Sequence, residues 1–96
     1  MKVVVSDKAH SDLLRLYLYL APRNPVAADA IVERIDKRFE QLSRYPFIGR
    51  ERSSLAPGLR SVIVGTHLIF YAVSPDSITI VRVIDGRMDI DEEFRR

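Results

Sequence analysis

The sequence predicts an α+β domain: an N-terminal strand, then an antiparallel helical hairpin packed on one face of a small, mainly antiparallel β-sheet, in the order β-α-α-β-β-β. Three observations predict it. Two apolar stripes of helical period fill the first half, three short β-rich runs parted by turn residues fill the second, and a β-branched run precedes them all. Ninety-six residues at 47% hydrophobic content bury one modest core, so residues 1–96 read as a single domain.

Val3-Val4-Val5 is the first strand, stopped by Ser6-Asp7, where Ser6 is placed to cap the helix that follows. Ala9, Leu13, Leu16, Tyr17 and Leu20 then recur along one helical face, while Leu14, Leu18 and Tyr19 add apolar surface beside it. That surplus predicts a helix face that meets another chain. Asn24-Pro25 starts the second helix, with Asn as cap and Pro in the first turn, where its missing N–H is no loss. Ala28, Ile31, Ile35, Phe39 and Leu42 form its apolar stripe, and Tyr45-Pro46 closes it, because the residue before proline avoids helical geometry. The short connection between the helices makes them an antiparallel hairpin.

Leu59 to Val64, Leu68 to Ser74 and Ile78 to Ile84 are the remaining strands, separated by Gly65-Thr66-His67 and Pro75-Asp76-Ser77 in the manner of a meander. Since two helices cover one face, the other is expected to be open or covered by a partner. If Val81 and Val83 point at the helices, Arg82 points to that open face.

Composition narrows the function. The absence of cysteine excludes disulfides, thiolate metal sites and a cysteine nucleophile. With no apolar run of spanning length and no signal-peptide pattern after Met1-Lys2, a soluble, cytoplasmic protein without membrane association is expected. Twelve arginines among fifteen basic residues give a pI of about 9.2 and suit an acidic partner. No Gly-rich phosphate loop and no nucleophile–base spacing is present, so neither cofactor nor catalytic residue is expected. Asp85, Asp89 and Asp91 lack supporting histidines and are interleaved with arginine, which fits a salt-bridged turn and polar tail better than a metal site.

Arginines inside strand-like sequence need a partner. Arg60 and Arg82 either pair with Glu51, Asp85 or Asp89 as a structural network, or present themselves to another molecule. His67 follows a turn and reads as a turn residue, His10 as an exposed helix residue, and Tyr71 as core with its hydroxyl at the rim.

Asp12-Leu13, Asn24 with Ala27-Ala28, Leu42, Tyr45-Pro46-Phe47-Ile48-Gly49-Arg50, Pro57-Gly58-Leu59-Arg60, Ile69-Phe70-Tyr71, Arg82-Val83-Ile84, Gly86-Arg87 and Asp89 follow one another in an order that resembles the ParE/RelE toxin superfamily, and its ParE-like branch in particular. The resemblance implies the toxin of a bacterial type II toxin–antitoxin module, neutralised by a ParD-like antitoxin and acting by inhibition of DNA gyrase. RelE-like members of the same fold are ribosome-dependent mRNA endoribonucleases, and a non-toxic homologue that binds antitoxin in operon autoregulation is a third possibility. Ribonuclease members carry clustered basic residues, often with a C-terminal histidine or tyrosine, whereas this chain has no tyrosine after Tyr71 and no histidine after His67. Many ParE-like chains have histidine where this one has Asp85. The resemblance thus implies binding without catalysis, with Arg60, Arg82, Arg87 and Asp89 toward the target. Leu14, Leu18, Tyr19, Arg60, Tyr71 and Arg82 would face the antitoxin. Sequence-specific nucleic-acid binding by this chain alone is not expected.

Overall fold

A computed structural model describes residues 1–95. Its elements run β1 (Lys2–Val5), α1 (Asp7–Leu20), α2 (Pro25–Arg44), β2 (Arg50–Glu51), β3 (Leu59–Val64), β4 (His67–Val73), β5 (Ser77–Asp85) and α3 (Ile90–Arg95). The predicted α+β order is observed, with β2 and α3 added.

Both long helices start as their caps dictate. The Ser6 hydroxyl accepts the Ala9 N–H at 3.1 Å and donates to the Val81 carbonyl at 2.9 Å, so one side chain caps α1 and ties it to β5. Asn24 Oδ1 accepts the Ala27 N–H at 3.1 Å, with Pro25 in the first turn of α2.

The sheet has the order β1-β5-β4-β3-β2. β3, β4 and β5 form the predicted antiparallel meander, while β1 pairs in parallel with β5, from Lys2↔Ser77 to Val5↔Ile80. One helix-side core gathers Ala9, Ile35 and Leu42 against Val62, Val64, Ile69, Tyr71, Ile78, Ile80 and Val83.

The other face is not open. Leu59, Phe70 and Ile84 form a second buried cluster, covered by Leu55 and Ala56 from the loop before β3 and by Ile90 and Phe94 from α3. Phe94 meets Phe70 edge to face at 4.8 Å between centroids. The acidic end expected as a polar tail therefore folds back as a helix. Its first turn carries Asp91, Glu92 and Glu93, the charge that suits a helix N-terminus, and Asp89 Oδ1 accepts the Glu92 N–H at 3.2 Å. Arg96, the last of the final arginines, lies outside the described residues.

The expected alternation in β5 is also corrected. Phe70 pairs with Arg82 but Tyr71 pairs with Ile80, leaving Val81 as an extra residue in a bulge. A one-residue insertion reverses which face each following side chain takes. Ile78, Ile80 and Val83 consequently share the helix-side core, and Val81 and Ile84 join the second cluster. Val81 and Val83 do not both point at the helices, and Arg82 does not point to an open face.

Candidate functional site

Arg82 sits where β1 has ended. β1 pairs with β5 only as far as Ile80, so beyond the bulge β5 has β4 on one side and a free edge on the other. α1 passes along that edge and supplies Asp12 in place of the missing strand. Asp12 Oδ2 accepts the Val83 N–H at 2.9 Å and Arg82 Nε at 2.8 Å, while Oδ1 accepts Arg82 Nη2 at 3.0 Å. Arg82 Nη1 donates to the Glu93 carbonyl at 3.1 Å, and Nη2 lies 3.7 Å from Glu93 Oε1. The Arg82 and Asp12 side chains are only 12% and 6% exposed, so this fork ties β5, α1 and α3 together from the inside. Hydrogen bonding to Asp12 first, then the carboxylate charges, hold the Arg82 guanidinium above its ordinary value against burial. Of the two possibilities open for Arg82, the structural network is the one built, with Asp12 and Glu93 as partners and neither Asp85 nor Asp89. The burial of Asp12, though not its partner, could have been found from periodicity. Asp12 lies three residues after Ala9 and four before Leu16, on the buried face of α1.

Arg60 stands at the other margin of the sheet. Its Nη1 donates to the carbonyls of Phe47 at 3.2 Å and Gly49 at 2.8 Å, and Nη2 reaches Glu51 Oε1 at 3.4 Å. Its guanidinium carbon lies 5.2 Å from the Phe47 ring centre. Tyr71, facing Arg60 across β3 and β4, is fully buried and accepts the Gly49 N–H on its hydroxyl at 2.8 Å. Burial pushes the Tyr71 phenol up, and the Gly49 bond offsets part of the shift. The hydroxyl expected at the rim is thus inside, and Tyr71 offers no surface to a partner. Arg60 and Tyr71 together hold the main chain at Phe47 and Gly49, leaving Tyr45, Phe47 and Ile48 outward at 60%, 64% and 47% exposure. Those three side chains were not among the expected site residues. The signal was bulky apolar residues on both sides of a helix-ending proline, Tyr45 before Pro46 and Phe47-Ile48 after it, where no periodicity asks for core.

At the far end of β5, Arg87 folds back on Asp85, with Nη2 to Oδ2 at 2.6 Å and the Arg87 N–H to Oδ1 at 2.9 Å. These bonds hold the Asp85 carboxyl well below the usual carboxylate range. Burial lowers the His67 imidazole, against the pull of Asp85 and with a push from Arg87, so the ring is neutral at neutral pH. Both groups release protons more readily when folded. Their stability contribution is therefore full above the unfolded values and is lost as pH falls through the folded ones. Arg87→Ala is expected to raise Asp85 toward the ordinary carboxylate range and, to a smaller extent, His67; a carboxyl and imidazole NMR titration reads both, and an unchanged Asp85 would dismiss Arg87 as its cause.

Asp12, Arg15, Tyr19, His67, Asp85 and Met88 line a groove of about 360 Å³ between α1 and the end of β5. Leu14 and Leu18 stand outside it on the outer face of α1, 59% and 61% exposed, with Tyr19 at 58% under the Arg23 guanidinium. The expected antitoxin set thus divides: Leu14, Leu18 and Tyr19 share one exposed helix, whereas Tyr71 and Arg82 are interior. The expected target set divides too. Arg60 lies by β2, Arg82 under α1 and α3, and Arg87 with Asp89 beyond the far end of β5. Among the described residues, no His, Asp and Glu cluster is placed to hold a metal ion, and no helix is long and apolar enough to cross a membrane.

Comparison with known proteins agrees with this architecture. The model of the family described as "ParE toxin of type II toxin-antitoxin system, parDE" matches residues 3–90. Toxin ParE3 of Caulobacter vibrioides is 34% identical over 90 residues, covering 93% of this chain and 90% of the relative. Among solved structures, the chromosomal ParDE system of P. aeruginosa superposes with a TM-score of 0.74 at 24% identity, covering 88% of this chain and 95% of that one. The RelBE2 toxin–antitoxin complex of Mycobacterium tuberculosis superposes with a TM-score of 0.62 at 30% identity, again covering 88% and 95%. A match that spans nearly the whole chain on the fold just described places this protein in the ParE toxin family of type II toxin–antitoxin systems.

Proposed function

We propose that this chain acts in the cytoplasm as a growth-arresting toxin that binds and inhibits DNA gyrase, and that an antitoxin silences it by covering the outer face of α1. The family match supports the toxin and its antitoxin; the solved relative named as RelBE2 is itself a toxin–antitoxin complex. One observation favours binding over catalysis. The three arginines expected at the target surface lie apart and each bonds a neighbour, Arg82 to Asp12, Arg60 to two backbone carbonyls and Arg87 to Asp85, so they do not form the basic cluster that stabilising a phosphorane asks for.

Leu14 and Leu18, one helical turn apart, provide the exposed apolar stripe that an amphipathic antitoxin helix can cover, with Tyr19 exposed on the neighbouring face. Antitoxins that fold on binding bury such stripes at the cost of their own ordering.

A supercoiling and cleavage assay with purified gyrase and relaxed plasmid tests the activity. Loss of supercoiling with trapped cleaved DNA, relieved by the cognate antitoxin, is the expected result. No effect on gyrase would reject it and turn attention to mRNA cleavage on translating ribosomes, with His67 beside Asp85 and Arg87 as the group to substitute. For the antitoxin surface, Leu14→Asp/Leu18→Asp is expected to weaken antitoxin binding by about 100-fold in calorimetry, the loss of two central apolar contacts. Affinity within threefold of the parent would remove α1 from the interface.

A further inference from the structure

We infer that the clamped segment from Tyr45 to Gly49 is the surface that engages the toxin's protein target, separate from the antitoxin face, and that it takes an acidic segment of that target with an apolar pocket for Phe47. The inference rests on the proposed inhibition of a protein target.

The segment is exposed yet held rigid. Arg60 bonds two of its carbonyls and the fully buried Tyr71 bonds its Gly49 N–H, so buried and half-buried polar groups are spent on fixing a surface loop. Tyr45 and Phe47 are 60% and 64% exposed and belong to neither buried cluster, so most of their aromatic surface is left open to a partner. Rigid aromatic side chains flanked by arginine have the composition of binding hot spots, and a loop ordered before binding loses little entropy on contact.

Charge identifies the kind of partner. Arg44, Arg50 and Arg60 flank the aromatic residues. Arg44 meets Glu40 at 2.6 Å and Arg60 meets Glu51 at 3.4 Å, while Arg50 is exposed and without an ion-pair partner among the described residues. The Arg44 pair is exposed on both sides and the Arg60 pair on its Glu51 side. Such pairs hold their partners weakly, so incoming carboxylates can take over Arg44 and the Nη2 of Arg60, while Arg60 Nη1 stays on the Phe47 and Gly49 carbonyls.

Position separates this surface from the first. α1 packs on β5, whereas residues 45–49 run into β2, the strand at the opposite margin of the sheet from β1 and β5. An antitoxin helix on Leu14 and Leu18 leaves the Phe47 side uncovered.

The test compares wild type with Phe47→Asp and Tyr45→Asp in three readouts: gyrase supercoiling, growth arrest on induction, and affinity for the cognate antitoxin. Expected are about 30-fold or greater losses in gyrase inhibition and in growth arrest, with antitoxin affinity within twofold of wild type, which also certifies that the variants are folded. Undiminished gyrase inhibition and growth arrest in both variants would overturn the inference. An equal loss of antitoxin affinity would overturn it too, since the two surfaces would then be one. If wild type arrests growth without touching gyrase, gyrase is the wrong target, and the growth readout alone decides the surface. A wild type that does neither would overturn both the proposed function and this inference.

Discussion

Asp12→Ala is expected to lower the unfolding free energy by about 3–5 kcal/mol, the usual effect of removing one partner from a buried ion pair. The substitution leaves Arg82, 12% exposed at its side chain, with the Glu93 carbonyl and a distant carboxylate, and it strips the Val83 N–H of its acceptor. Against a total stability of about 5–15 kcal/mol this is a large fraction. For a domain of this size it corresponds to a Tm lower by more than about 12 °C. Denaturant titration of the single variants, with Asp12→Ala/Arg82→Met as the double, separates the pair from its surroundings. Removing both charges together and filling the space with an apolar chain is expected to cost less than the sum of the singles, with a coupling above about 1 kcal/mol. A loss below about 1 kcal/mol for Asp12→Ala, or strict additivity, would show that the fork does not hold the edge of β5.

Gly49→Ala is the second large effect, at about 2–4 kcal/mol from overpacking together with a strained or broken buried hydrogen bond. An added Cβ would stand 2.6 Å from Tyr71 Cε1 and 2.8 Å from Cζ, closer than carbon atoms pack, and the ring has no room to retreat because Tyr71 is fully buried. Trimming the hydroxyl does not remove those two ring contacts. The nearest atom to that Cβ is the hydroxyl itself, so Gly49→Ala/Tyr71→Phe is expected to recover part of the loss and keep the part due to the ring, whereas Tyr71→Phe alone costs about 1–3 kcal/mol for the unpaired Gly49 N–H. Gly58 makes a useful contrast: its φ is +76° and nothing lies within 4 Å of a Cβ there, so Gly58→Ala pays only for backbone conformation, about 1–2 kcal/mol. Thermal unfolding of the four variants checks the order, and a loss in Gly49→Ala no larger than in Gly58→Ala would refute the crowding explanation.

Both effects arise where charge or polarity meets the interior, and that is also where the sequence was hardest to read. Periodicity disclosed the two helix stripes because Ala28, Ile35 and Leu42 repeat at the helical interval whatever they pack on. It disclosed Leu14 and Leu18 as surplus apolar surface for the same reason. Caps at Ser6 and Asn24 act on the next three residues, so they too are local. The three meander strands were legible to within one residue at their ends, because turn residues mark strand limits without regard to what the strands touch.

The sequence by itself determined the α+β class, the helical hairpin, the meander and, through the ordered motifs from Asp12-Leu13 to Asp89, the family. Tertiary structure alone decided where Arg82 goes. A single extra residue at Val81 reverses the alternation of β5, and nothing local distinguishes a bulge from a regular strand; only pairing with Phe70 and Tyr71 exposes it. It decided the partners as well, because Asp12 lies 70 residues from Arg82 and Gly49 lies 22 from Tyr71, separations at which no sequence interval predicts contact. It decided that the acidic end becomes α3, a six-residue helix too short to persist alone and held by Phe94 on Phe70 and by Arg82 on Glu93.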